Sequence, residues 1–196
     1  MSSCETNGNS PIKLYIKGKG HPLVLIHPLG LDHRIWDYCV SDLAEHRTLI
    51  TFDLPGHGLS PVPDINYSIE DISNSLYESL SLAHIDKADF LGLSIGGMIL
   101  QHFASVNAAM VEKLILVDTT FKYSKDWQRN WTERAKISRE EGLESMLEKL
   151  LEAFFTPEYL NKGSADIDYC REVISRMSGE GYALACEALS RCNLEK

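Results

Sequence analysis

What this sequence lacks sets the first limits. Its five cysteines, Cys4, Cys39, Cys170, Cys186 and Cys192, are odd in number, and no two form a C-x-x-C pair. They suggest neither a disulfide framework nor a cysteine zinc site. Basic residues are outnumbered, 19 against 28, and the net charge is −9. With no basic cluster to follow a phosphate backbone, no nucleic-acid partner is expected. No run is long and apolar enough to span a bilayer, and the polar opening MSSCETNGNSP has no apolar signal core. The expectation is therefore a soluble, cytoplasmic protein without membrane contact, with a frayed tail over residues 1–11. The glycine patterns that hold nucleotides are missing as well: GKGHPL lacks the third glycine of a dinucleotide loop, and nothing fits G-x-x-x-x-G-K-[ST]. Finally, no histidine follows His102.

What remains is a chain of 196 residues with ordinary globular composition, 44% apolar and 24% charged. IKLYIKG (12–18) and PLVLIHP (22–28) read as strands joined by a Gly-rich turn, the first adding on antiparallel. RTLIT, ADFLGLS and KLILVDTT read as further strands, the last two as buried runs. Between them lie helical spacings at Trp36, Val40 and Leu43, and at Ile69, Ile72, Leu76 and Leu80; Ser68 and Asp71 form a capping-box start. Strand and helix thus alternate over residues 22–120, which predicts an α/β fold with a mostly parallel sheet covered by helices. After Thr120 the strand signal stops. Trp127, Trp131, Leu143, Leu147, Leu150, Val173 and Leu189 follow helical spacing, and three to five helices are expected. The expected division is a core over 12–121 and a helical cap over 122–196.

One stretch carries chemistry. In DFLGLSIGG (89–97), Ser94 stands between Gly92 and Gly96 where an apolar run gives way to a helix. G-x-S-x-G at a strand-to-helix turn is the nucleophile-elbow pattern. The turn brings the two glycine positions together and pushes the hydroxyl out at the carboxyl edge of the sheet. Acyl transfer also needs two amide donors for a developing oxyanion. One is expected at Ile95, directly after the serine, and one at Leu29, since Pro28 has no N–H.

LVLIHPLGLDHRIWD, FDLPGHGLS and GLSIGG occur in the order found in the α/β-hydrolase superfamily. Over residues 12–120 the chain most resembles its branch of 3-oxoadipate enol-lactonase-like ester and lactone hydrolases. The resemblance implies a serine nucleophile at Ser94, oxyanion donors at Leu29 and Ile95, a small ester or lactone as substrate, a pocket roofed by a helical cap, and neither metal nor organic cofactor. Trp127, Trp131, Phe154 and Phe155 are candidate pocket walls.

The general base is the gap. Its usual place in this superfamily is after the serine and an acid. His102 lies eight residues along the same helix, about 12 Å of rise away. His57 sits in a structural turn, and His27 is expected to brace its loop. Asp118, ending the strand after the nucleophile, is a candidate acid, although a strand-end cap is its plainer reading; Asp53 is read the same way. The chain therefore reads as an α/β hydrolase truncated at its carboxyl end, inactive in this form for want of the catalytic histidine. Two readings compete with a hydrolase: a non-catalytic small-molecule binder, and a carbon–carbon hydrolase or cofactor-free haloperoxidase on the same scaffold. KLILVDTT would then be an exposed sheet edge, making the chain marginally stable, aggregation-prone or dimeric through that edge.

Overall fold

The structure, a computed structural model, describes residues 12–195. The tail expected over 1–11, with Cys4, lies outside the described residues.

Five strands form one sheet: β1 (Tyr15–Gly18), β2 (His21–Ile26), β3 (Arg47–Thr51), β4 (Ala88–Leu93) and β5 (Val111–Val117). Their spatial order is β1-β3-β2-β4-β5. All neighbours are parallel except β1, which runs antiparallel to β3 with Tyr15 opposite Thr51. The first two strands do not form a hairpin, contrary to the simplest reading of their Gly-rich turn. Gly18 and Gly20 take φ of 88° and 118°, and this turn carries the chain across so that β3 lies between β1 and β2.

Alternation along β2 explains the layers. Leu23 and Leu25 join Leu49 in a small cluster against Trp36, Val40 and Ala44, at and around α1 (Asp37–Leu43). Val24 and Ile26 face the other way, into the main core with Ile50, Phe52 and Phe90. That face is covered by α2 (Ile69–Leu82) and α3 (Ile95–Val106). On α2 the residues at helical spacing, Ile69, Ile72, Leu76 and Leu80, are buried together with Ser73 and Ser79, and Ser68 and Asp71 complete the expected capping box. Such a cap contributes about 1 kcal/mol.

Five α-helices follow β5, at the upper end of the expected number: α4 (Lys125–Glu140), α5 (Leu147–Phe154), α6 (Pro157–Lys162), α7 (Ala165–Arg176) and α8 (Gly179–Arg191). Each but α5 starts behind a serine or threonine whose side chain accepts from a backbone N–H. The apolar faces of α4, α5 and α8 join the sheet residues in one continuous core, with Trp131, Leu147, Leu151, Tyr182 and Leu189 packed into the cluster that holds Val24 and Phe90.

KLILVDTT is not the buried run its letters suggest; it is the exposed sheet edge expected of a chain read as truncated after the cap. β5 is the last strand of the sheet, and Ile115, Leu116 and Val117 are 45%, 42% and 39% exposed. Its letters match those of an inner strand, but only β4 pairs with it among the described residues. No helix of the described residues is long and apolar enough to cross a membrane.

Candidate active site

The turn between β4 and α3 is held in a conformation that a serine rarely adopts. Ser94 has φ 55° and ψ −116°, values of the first central position of a type II′ turn, where glycine is at ease. Strain of about 1–3 kcal/mol is typical for a non-glycine residue so placed. The glycines around it are there for want of room. A Cβ on Gly92 would lie 2.5 Å from the Gly96 carbonyl carbon, and one on Gly96 would lie 2.6 Å from the Ile26 oxygen. The end of β5 clamps the turn: the Ser94 N–H donates to the Val117 carbonyl at 2.9 Å, and the Thr119 hydroxyl donates to the Ser94 carbonyl at 2.7 Å.

Opposite the elbow runs the loop after β2, and its bracing comes from a histidine. His27 is fully buried. Its Nε2 accepts from the Leu54 N–H at 3.0 Å, so its proton resides on Nδ1, which donates to the Pro28 carbonyl at 2.8 Å. Burial depresses its pKa. His57 packs beside it with ring centres 5.4 Å apart; burial, then the neighbouring His27, push its pKa down to about 3. Asp53 ties the next loop together. It accepts from the Leu59 and His33 amides at 3.0 and 2.9 Å, and its Oδ1 lies 2.8 Å from the His33 ring. Burial opposes its charge, but these donors hold its carboxyl below the ordinary range. His27 and Asp53 thus hold their loops, in line with the plain reading of each from the sequence, and His57, whose Nδ1 lies 3.1 Å from the Pro55 carbonyl, packs beside them in its turn.

A second brace links this loop to the helices above. Asp32, buried, accepts from the Arg34 side chain at 2.8 Å and from the Tyr169 hydroxyl of α7 at 3.0 Å. Arg34 reaches on to Glu172 of α7 at 3.5 Å.

Between sheet and helices lies a cavity of about 1230 Å³. Pro28, Leu29, Leu93, Ser94 and Asp118 line its sheet side. Trp127, Trp131, Phe154 and Phe155, the four aromatic residues expected as walls, line the helical side. Ile95 contributes no side chain; that is fully buried in the core. Neither the Leu29 nor the Ile95 N–H meets a hydrogen-bond acceptor among the described residues. Asp118 takes φ 42°, stands on the cavity wall, and its carboxylate accepts no hydrogen bond among the described residues, so it caps nothing. No histidine lines the cavity.

Two site residues, Arg134 and Tyr182, escaped the sequence reading. Arg134 lines the helical side with no ion pair among the described residues, its guanidinium 5.0 Å from the centre of the Trp131 ring. Trp131 Nε1 and the Tyr182 hydroxyl are buried with no hydrogen-bond partner among the described residues. Burial drives the Tyr182 phenol well above its usual pKa, so it remains a neutral donor. Arg134 stands three residues after Trp131 on α4, a spacing that shares a helix face and was available as a signal. Nothing marked Tyr182 among the other helical aromatics.

The chain is 26% identical over 172 residues to 3-oxoadipate enol-lactonase 2 of Acinetobacter baylyi, a match covering 88% of this chain and 64% of that protein. It is 30% identical over 175 residues to the pimeloyl-[acyl-carrier protein] methyl ester esterase of Legionella pneumophila, covering 88% and 67%. The crystal structure of the enol-lactonase from Burkholderia xenovorans superposes with a TM-score of 0.88 at 28% identity, over 93% of this chain and 71% of that one. The chain thus spans about 64% of the length of the enol-lactonases it matches. The family model for the alpha/beta hydrolase fold matches residues 21–158, and the chain belongs to that family.

Proposed function

We propose that this chain carries the nucleophile, the oxyanion donors and the capped acyl pocket of a serine hydrolase acting on small carboxylic esters or lactones. The observation that carries the reading is Ser94, strained at φ 55° on the wall of a large cavity, with the unused amides of Leu29 and Ile95 in the two flanking turns. In the reaction the Ser94 Oγ bonds to the substrate carbonyl carbon while a base takes the hydroxyl proton and then returns it to the departing alkoxide oxygen as the C–O bond breaks. The two amides hold the oxyanion, and collapse expels the alcohol, or opens the lactone, to leave an acyl-serine. Water then releases the acid. Helices α4–α8 act as the cap. Arg134, on the cavity wall with no ion pair among the described residues, fits a substrate whose acyl part ends in a carboxylate.

No histidine is among the residues that line the cavity, so the described residues supply Ser94 with no histidine base. These 196 residues alone would therefore bind substrate and acylate slowly or not at all. The same observation favours a second reading, a small-molecule binder without turnover. A fluorophosphonate probe separates the two. For the hydrolase, labelling is slow, is accelerated by added imidazole as a surrogate base, and disappears in Ser94→Ala. No labelling at any imidazole concentration sinks the hydrolase and leaves the binder. The exposed β5 edge is our candidate for pairing with a second copy; Leu116→Lys should then shift the chain towards monomer in sedimentation.

A further inference from the structure

The amino-terminal ends of the strands, at the opposite edge of the sheet from Ser94, carry a separate cluster. His21 opens β2, Asp89 is the second residue of β4 and Glu112 the second of β5. Asp89 pairs with Leu23, so His21, two positions earlier on β2, shares its face. Glu112 arrives by a different route. Ala88 pairs with Val111 and Asp89 with Lys113, which leaves Glu112 as the extra residue of an irregularity in the ladder. Such bulges re-aim a side chain. Here His21 Nε2 lies 2.9 Å from Glu112 Oε2 and 3.8 Å from Asp89 Oδ1, and one ligand atom from each residue falls within 4.8 Å of the other two.

Asp89 makes the cluster more than a surface ion pair. Its side chain is 4% exposed, and its two oxygens are treated unequally. Oδ2 receives the Arg47 guanidinium at 2.6 Å, with the exposed Lys113 ammonium at 3.8 Å. Oδ1 is buried, has no hydrogen-bond partner among the described residues, and faces the His21 ring. A single Nε2 proton, already close to Glu112, cannot also satisfy Asp89. A dication between the three answers both carboxylates at once.

We propose that His21, Asp89 and Glu112 form a site for a divalent transition metal of the zinc class, tying together the starts of three parallel strands. Imidazole with carboxylates is a donor set that zinc accepts, and hard magnesium or calcium sites are built from oxygen instead. At zinc–ligand bonds of about 2.0 Å, neighbouring donors of a tetrahedron stand about 3.3 Å apart; the separations of 2.9 and 3.8 Å bracket that value. His21 and Glu112 are 40% and 45% exposed, which leaves a path for the ion and a fourth position open to water. Arg47 is the outer brace. Its Nε donates to the His21 carbonyl at 2.9 Å and one of its terminal nitrogens to the Pro22 carbonyl at 3.2 Å, so it holds Asp89 with Oδ1 turned to the imidazole. Asp89 and Ser94 lie at opposite ends of β4, roughly 16 Å apart along the strand. The ion's role is to hold the sheet and not to enter the hydrolytic chemistry, so the proposal does not rest on the reading of Ser94.

The test uses the untagged 196-residue chain, stripped with chelator and then titrated with zinc by calorimetry and with cobalt(II) by visible absorption. One equivalent should bind, with the strong d–d band of a four- or five-coordinate cobalt without thiolate charge transfer. Zinc should raise the melting temperature. His21→Ala and Glu112→Gln, both at exposed positions, should each weaken binding at least tenfold, whereas His46→Ala should not. Absence of binding, a thiolate signature, or affinity unchanged in both variants overturns the proposal and leaves the trio a hydrogen-bonded surface cluster.

Discussion

The two sides of the cavity are made of different material. The sheet side presents main chain: a strained turn, two free amides, and glycines whose absent Cβ atoms make the geometry possible. The helical side presents side chains: Trp127, Trp131, Arg134 and Tyr182 on α4 and α8. A wall of main chain tolerates almost no change, since every alternative residue adds atoms where there is no room. A wall of side chains can be altered one contact at a time. Stability and selectivity should therefore separate along this boundary.

The largest effect is expected where backbone meets backbone. Gly96→Ala puts a methyl 2.6 Å from the Ile26 oxygen, and should cost more than about 4 kcal/mol or prevent folding, read from urea denaturation. Acid should come next. The unfolded chain takes up protons near pH 6.5 that the buried His27 and His57 refuse, His57 until about pH 3. Stability is then complete above pH 6.5 and falls as the pH drops, by up to about 1.4 kcal/mol per unit for each histidine. Urea midpoints at pH 7.5 and 5 should differ accordingly, and His57→Asn should reduce the slope. A flat profile would mean that these rings are not held neutral. Ser94→Gly should do the reverse of most active-site changes, raising stability by about 1 kcal/mol through relief of the positive φ while abolishing probe labelling. On the helical side, Arg134→Gln should leave stability within about 0.5 kcal/mol. It should weaken binding of a carboxylate-bearing ester about tenfold without affecting a neutral one, measured by competition against the probe. Equal losses for both esters would remove Arg134 from substrate recognition.

How much of this could be read from the letters follows the same division. The elbow was legible because G-L-S-I-G encodes a steric necessity, and His27 because a histidine beside Pro28 has an obvious carbonyl to hold. That no histidine lines the cavity agrees with the count of histidines before and after the serine, since none follows His102. The exposure of β5 could not be read from LILV itself, which has the texture of an inner strand; it followed from reading what should lie beside that strand as missing. The route of β1 past β2 to β3 depended on two positive-φ glycines whose direction of turn the sequence does not state. Arg134 was hidden for another reason. An arginine on an amphipathic helix ordinarily meets solvent or an acid, and only the fold shows that it meets a cavity and a tryptophan face instead.

The link from Asp32 to Tyr169 has an evolutionary consequence. Leu29 and Asp32 belong to one short loop, and Tyr169 belongs to α7 in the roof. Tilting that helix to admit a bulkier guest pulls on the segment that presents the Leu29 amide. If α7 roofs the site as proposed, substitutions that reshape it are expected to be matched by changes at Asp32, its hydrogen-bond partner in the loop.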